Sequence, residues 1–228
     1  SSLTLGSGYP IVMCNYQDAV FGVNGQNSFW TWTFTGKIAA AAAVPGGGKY
    51  KGVFVFEEKV CHFRDATTRS GFRWSDEGLP TTYQTLHQLF YPVDRSSELI
   101  LAWPLHGEVI FAGPERTGKT VGGLPPRAVV DIDTKRGCLS YYSAAEVAGW
   151  LYWVANGPTV VRTNGNVVEE VSRGVDLSDV DIGTERFLRG TGYLDRYYIL
   201  SYNSVATGTG GAPDRQLVSS HLFEEFAS

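Results

Sequence analysis

The sequence predicts an all-β fold of antiparallel four-stranded meanders, and three observations carry that prediction. Gly and Pro interrupt the 228 residues 27 and 10 times, so three runs longer than 11 residues lack both: 53–70, 193–207 and 214–228. A mean helix needs about 11–12 residues, which excludes an all-α fold and leaves little room for the crossover helices of an α/β fold. The second observation is the load of 30 aromatics, side chains that carry much of the burial in sheets. The third is the recurrence of short apolar runs between Gly, Asn, Asp and Pro turns.

Ile11–Tyr16 and Ala19–Val23 read as strands, followed by Asn24-Gly25 and the strand-like Phe29–Thr35. Asn-Gly between apolar runs predicts a tight hairpin, because both residues tolerate positive φ. Lys37–Val44 is Ala-rich and fits a strand or a short helical turn, ended by Pro45-Gly46-Gly47-Gly48. Val53–Phe56 and Lys59–Phe63 predict a hairpin turning at Glu57-Glu58. In the irregular 64–92 region, Tyr83, Leu86, Leu89 and Phe90 fall at helical spacing, so a short helix is expected over Thr82–Tyr91. Strands resume at Glu98–Trp103 and Glu108–Ala112, and a long loop is expected over about 113–127.

The clearest segment is 146–172, where Gly149, Asn156-Gly157 and Asn164-Gly165 divide four short strand-like runs into a meander. Tyr193–Tyr202 and Gln216–Phe223 follow as strands around a Gly- and Thr-rich loop, Ala206–Ala212. Four-stranded meanders are the building unit of β-propellers. The turn spacing fits four blade-like units of about 40–55 residues each. The expected organisation is a single all-β domain over 1–228, a whole or partial propeller, with a β-sandwich as the alternative.

Composition narrows function. A net charge of −4 and a pI near 5.6 argue against a surface built wholly for nucleic acid or anionic lipid. No apolar run approaches the 18–20 residues of a helical membrane span, so no membrane partner is expected. Cys14, Cys61 and Cys138 are odd in number and widely spaced, which gives no disulfide framework and no metal-binding pair.

One motif matches a catalytic pattern in full. Gly113-Pro114-Glu115-Arg116-Thr117-Gly118-Lys119-Thr120 satisfies the phosphate-loop spacing after the strand-like Val109–Ala112. In a working site Lys119 would reach the terminal phosphates and Thr120 would hold Mg²⁺, with Val129–Asp133 supplying a supporting carboxylate. That chemistry needs a helix N-terminus behind the loop. Val121-Gly122-Gly123-Leu124-Pro125-Pro126 cannot sustain one, since an interior Pro costs about 3 kcal/mol and a Gly about 1. The stretch is expected to be a loop that matches by chance.

The remaining chemistry is scattered. His62, His87, His106 and His221 lack metal-ligand spacing, and Glu57-Glu58 and Glu224-Glu225 are neighbours that a strand would point to opposite faces. Trp30 and Trp32 share a strand face, as do Tyr152 and Val154, and packing is their expected role. Arg64, Arg69 and Arg73 interleave with Phe63, Phe72 and Trp74, but Asp65, Asp76 and Glu77 are mixed among them. No catalytic, cofactor-binding or metal-binding residue is therefore expected.

Leu124–Ser172 resembles the β-propeller structural proteins of tailed-bacteriophage virions, of the nozzle or tail-closure type. The likeness rests on Arg136-Gly137-Cys138-Leu139-Ser140, Ser143, Val147, Gly149-Trp150-Leu151-Tyr152-Trp153, Asn156-Gly157 and Asn164-Gly165. Tyr16–Trp30 and Tyr193–Tyr202 are similar to the same group. The resemblance implies a non-enzymatic virion component, in the tail or DNA exit channel, that contacts copies of itself and other virion proteins. It carries no catalytic residue and no cofactor. A nucleotide-hydrolysing enzyme using 113–120 and a glycan-binding β module with exposed Trp and Tyr stand as the alternatives.

Overall fold

A computed structural model describes residues 10–36, 38–40, 48–173, 175–181, 188–205, 213–220 and 226–227. Its strands fall into five sheets of four, each formed by consecutive strands in chain order. The first comprises β1 (Val12–Tyr16), β2 (Ala19–Val23), β3 (Trp30–Trp32) and β4 (Ala39–Ala40). The second comprises β5 (Gly52–Phe56), β6 (Lys59–Phe63), β7 (Gly71–Trp74) and β8 (Gln88–Phe90). The third holds β9 (Leu101–Leu105), β10 (Glu108–Ala112), β11 (Thr117–Val121) and β12 (Ala128–Asp133). The fourth holds β13 (Ala145–Val147), β14 (Trp150–Ala155), β15 (Thr159–Thr163) and β16 (Val168–Glu170). The fifth holds β17 (Arg189–Tyr193), β18 (Tyr197–Tyr202), β19 (Arg215–Ser220) and β20 (Phe226–Ala227). The fold class is all-β, with five antiparallel four-stranded blades of the propeller type where four were expected.

A repeated backbone device opens every blade. The first two strands of each sheet meet at a tip whose leading residue has positive φ: Gln17, Glu57, His106, Ala148 and Leu194. These tips are separated by 40, 49, 42 and 46 residues. Glu57-Glu58, His106-Gly107 and Ala148-Gly149 place both loop residues at positive φ, the twist that matches right-handed strands in a two-residue hairpin. Leu194-Asp195-Arg196 makes a three-residue version, so the run expected as one strand over Tyr193–Tyr202 is a hairpin, β17–β18.

The chain divides into two compact units, one of residues 1–113 and 120–128 and one of residues 114–119 and 129–228. In the first, β1 lies beside β5 and β5 beside β9. Its best-defined core gathers Tyr16, Phe21, Val23, Phe29, Tyr50, Val53 and Val60, all buried. Alternation along β1 and β2 produces this core: Val12, Cys14 and Tyr16 face it with Phe21 and Val23, while Met13 and Asn15 face away.

The second unit packs β13 against β17 around Val147, Tyr152, Val154, Tyr198, Leu200 and Leu217. Close approach here depends on glycine. A Cβ on Gly190 would stand 2.0 Å from the Ser143 carbonyl oxygen and 3.0 Å from the Tyr198 ring. The obstacle is backbone, which cannot rotate aside, so Gly190→Ala is expected to cost about 2–3 kcal/mol. Urea unfolding checks this, with Gly157→Ala as the control. At Gly157 nothing lies within 4 Å, and only the positive φ of 74° is strained.

Several expectations need correction. Asn24-Gly25 does not close a two-residue hairpin, because the Asn24 side chain accepts the N–H groups of Gln26 and Asn27 and shapes a longer loop between β2 and β3. Thr82–Tyr91 contains strand β8 and no helix. Pairing of Phe72 with Leu89 and of Arg73 with Gln88 satisfies the backbone as sheet. The segment 113–127, expected as a loop, contains β11. Lys37–Val44 includes β4, and the rest of its Ala-rich run lies outside the described residues. The predicted hairpin at Glu57-Glu58 and the four strands of 146–172 are present as read.

Candidate functional site

The phosphate-loop pattern lies across a blade. Gly113-Pro114-Glu115-Arg116 links β10 to β11, and Thr117-Gly118-Lys119-Thr120 belongs to the extended strand β11 between β10 and β12. Successive N–H groups of a strand point to opposite sides, so they do not converge on one anion as they do at a helix N-terminus. The side chains serve the sheet. Thr120 is buried and its Oγ1 accepts the Val109 N–H at 2.9 Å, while the Thr117 hydroxyl donates to the Arg136 carbonyl at 2.7 Å. Lys119 Nζ donates to Asn166 Oδ1 at 3.2 Å.

The carboxylates expected to support that loop lie on β12. Asp131 faces Arg116 at 3.9 Å. Burial would raise the Asp133 carboxyl, but N–H donation from Lys135 and Arg136 and the nearby Arg136 guanidinium outweigh it and hold the group below the usual carboxylate range. Asp133 is thus a turn-forming side chain.

The histidines separate by environment. His106 is exposed at the β9–β10 tip, and His221 lies outside the described residues. His87 is half-buried, stacks on Trp74 with ring centroids 5.6 Å apart and places Nδ1 3.0 Å from Asp76 Oδ1. His62, on β6, is fully buried between Tyr50 at 3.9 Å, Tyr83 at 4.7 Å and Phe29 at 5.6 Å, measured between ring centroids. Neither of its ring nitrogens has a hydrogen-bond partner among the described residues. Burial, with Arg73 on the neighbouring strand as a second cause, pushes its pKa down to about 3. It is therefore a neutral core imidazole at ordinary pH. No group of three or more metal-ligating side chains occurs among the described residues.

Two of the three arginines of 64–78 lie against acidic side chains. Arg64 meets Glu98 at 2.8 Å, and Arg73 lies 4.0 Å from the buried Asp65. Asp65 also accepts the N–H groups of Thr67 and Thr68 and shapes the β6–β7 turn. Glu57 and Glu58 sit together at the β5–β6 tip, where Glu57 accepts the Leu124 N–H and Glu58 the Tyr16 hydroxyl. Their partner pair Glu224-Glu225 lies outside the described residues.

Tryptophans mostly build the blades. Trp30 is buried over Gly22, Trp74 is buried, and Trp153 is buried with its indole N–H donated to the Gly137 carbonyl at 2.8 Å. Trp150 carries the Arg162 guanidinium 4.4 Å above its ring, and Glu169 grips the same guanidinium at 3.0 Å. Trp32 is half-buried beside the exposed Phe34, ring centroids 4.9 Å apart. Burial pushes the Cys14 thiol up to about 12, and Cys61 and Cys138 are buried, so these thiols pack rather than react.

Comparison with known proteins bears on fold. No protein-family profile matches the chain, and no curated protein matches it in sequence. Among solved structures, it is similar to the extracellular domain of BT4673 from B. thetaiotaomicron, with a TM-score of 0.63 at 10% identity over 99% of this chain and 29% of that one. A second structure of that domain gives a TM-score of 0.55 at 10% identity over 85% of this chain and 27% of that one. The BF0058 protein of Bacteroides fragilis gives 0.50 at 9% identity, covering 94% of this chain and 69% of that one. The chain spans less than a third of the first two. At such identities the likeness is one of architecture, and it identifies a bladed, propeller-type all-β chain.

Proposed function

We propose that the chain is a non-enzymatic structural component of a tailed-phage particle, placed in the tail or DNA exit channel and contacting copies of itself and other virion proteins. The observation that carries this reading is the behaviour of 136–172, the stretch with the virion-protein resemblance. It forms one complete blade, β13–β16, together with the turn that enters it. Its distinctive residues work as packing parts. The Ser140 side chain accepts the Tyr142 N–H, the Ser143 hydroxyl oxygen accepts the Val154 N–H, and the Trp153 indole holds Gly137. The Lys119 and Thr120 contacts give the same kind of support, since both groups are engaged within the fold. The modest net charge of −4 suits a wall that does not retain DNA, because phosphate binding draws on Lys and Arg.

The test is immunogold labelling of particles from lysates of cells that encode the chain, with antibody raised against it. Label at one fixed position on the tailed particles is expected. A chain recovered entirely apart from the particles overturns the reading.

A further inference from the structure

The chain contains three Asn-Gly pairs, and the fold treats them differently. Such a pair is chemically labile, because glycine has no Cβ to shield its backbone nitrogen from the carboxamide carbon of the asparagine before it. At Asn24-Gly25 both residues are held. Asn24 is buried, its Oδ1 accepts the N–H groups of Gln26 and Asn27, and its Nδ2 donates to Asn27 Oδ1. The Gly25 N–H donates to the Tyr50 carbonyl at 2.8 Å. At Asn164-Gly165 the glycine is buried and its N–H donates to Thr163 Oγ1 at 3.0 Å, while Asn164 Oδ1 accepts the Asn166 N–H at 3.0 Å.

Asn156-Gly157 differs on each count. It lies in the turn between β14 and β15, where Ala155 pairs with Thr159. Gly157 is exposed, and nothing lies within 4 Å of the place a Cβ on it would take. Its N–H has no hydrogen-bond partner among the described residues. Asn156 is half-buried, and its Nδ2 donates to the Pro114 carbonyl in the link from β10 to β11.

We propose that Asn156-Gly157 is a site of spontaneous modification, at which the side-chain amide is lost and residue 156 becomes isoaspartate or aspartate. The Gly157 nitrogen bonds to Asn156 Cγ as the Cγ–Nδ2 bond breaks, and Nδ2 leaves as ammonia with the proton that Gly157 gives up. Water then opens the cyclic imide at either of its carbonyls, breaking one C–N bond. One water is consumed and one ammonia released, with no oxidant or reductant. The product adds one negative charge to the chain's −4. It has also lost the donor that holds Pro114, and a carboxylate offers a carbonyl oxygen only lone pairs. The modification therefore frees Pro114–Arg116 from the turn of the fourth blade. None of this rests on the virion reading, and the test uses the isolated chain.

The full chain is incubated in mildly alkaline buffer, folded in one series and unfolded in urea in another, and tryptic peptides are followed by mass. Cleavage at Arg162 separates residue 156 from residue 164. In the folded chain, conversion at 156 is expected to run about tenfold or more faster than at 24 and 164, which react only through local opening. In urea the three rates are expected to converge. Folded chains that convert all three pairs alike, or that protect 156 as well as the other two, overturn the proposal. A second measurement reads the consequence. Asn156→Asp is expected to speed amide exchange at Glu115 and Arg116 by about two- to tenfold, the effect of losing one hydrogen bond. Unchanged exchange there overturns the release of Pro114–Arg116.

Discussion

Acidification from pH 7 to pH 3 is expected to cost about 4 kcal/mol of stability through His62 alone. In the folded chain burial holds its pKa down at about 3, against an ordinary imidazole value of 6.5. The unfolded chain therefore takes up the proton first, and between these two values it binds more protons than the folded chain. Stability rises with pH wherever the unfolded state is the more protonated, so this contribution is fully present above pH 6.5 and is lost as pH falls towards 3. The cause is geometric. The imidazole sits buried among Phe29, Tyr50 and Tyr83 with neither nitrogen paired among the described residues, and the Arg73 guanidinium disfavours a second cation. Urea titrations at a series of pH values measure the effect against His62→Phe, which keeps a ring and removes the proton site. The difference in pH dependence between the two proteins isolates His62 from the acidic side chains. Identical profiles would contradict the buried neutral imidazole.

Trp153→Ala is expected to destabilise the chain by about 4 kcal/mol, within the range for emptying a buried aromatic site. The indole is fully buried on β14, and its N–H donates to the Gly137 carbonyl at 2.8 Å. Replacement with Phe retains most of the packing and loses the donor. Its expected cost is about 1–2 kcal/mol, including the carbonyl left unpaired. For a chain of this size the alanine variant should melt roughly 8–16 °C lower. Calorimetry decides it, and a shift of a few degrees or none would mean that this ring does not hold the fourth blade to its entering turn.

The blade with the most regular turns was the one most readable in the sequence. In 146–172, Gly149, Asn156-Gly157 and Asn164-Gly165 mark each reversal, and the four strands lie where those turns put them. The count of blades is not readable in the same way, because the five opening tips share a positive φ at their leading residue without sharing residue types. Gln17-Asp18, Glu57-Glu58, His106-Gly107, Ala148-Gly149 and Leu194-Asp195 have few residue types in common, yet they recur every 40–49 residues. The turn within Tyr193–Tyr202 carries no Gly or Asn signal, because Leu194 and Asp195 adopt positive φ there against their local preference.

Tertiary partners explain the other differences. Residues 82–91 have helical spacing, but β7 offers a free edge, and sheet pairing takes Gln88–Phe90. Lys119 and Thr120 satisfy a catalytic pattern because Gly, Lys and Thr also suit a strand after a turn. Hydroxyls recur as acceptors for strand N–H groups, as Val109 to Thr120, Val60 to Ser75 and Val160 to Ser172 show. In this chain Thr120 belongs to that series. His62 looked unremarkable among four scattered histidines, and only the convergence of Phe29, Tyr50 and Tyr83 from distant parts of the chain makes it distinctive.

The central claim is that the chain's one catalytic-looking motif is blade structure, and amide hydrogen exchange at residues 117–121, read with and without Mg-ATP, tests it most directly. As strand β11, held between β10 and β12, these amides should exchange slowly and be indifferent to nucleotide. Fast exchange in the free chain that becomes protected when Mg-ATP is added would contradict the account and restore Lys119 and Thr120 to a phosphate site.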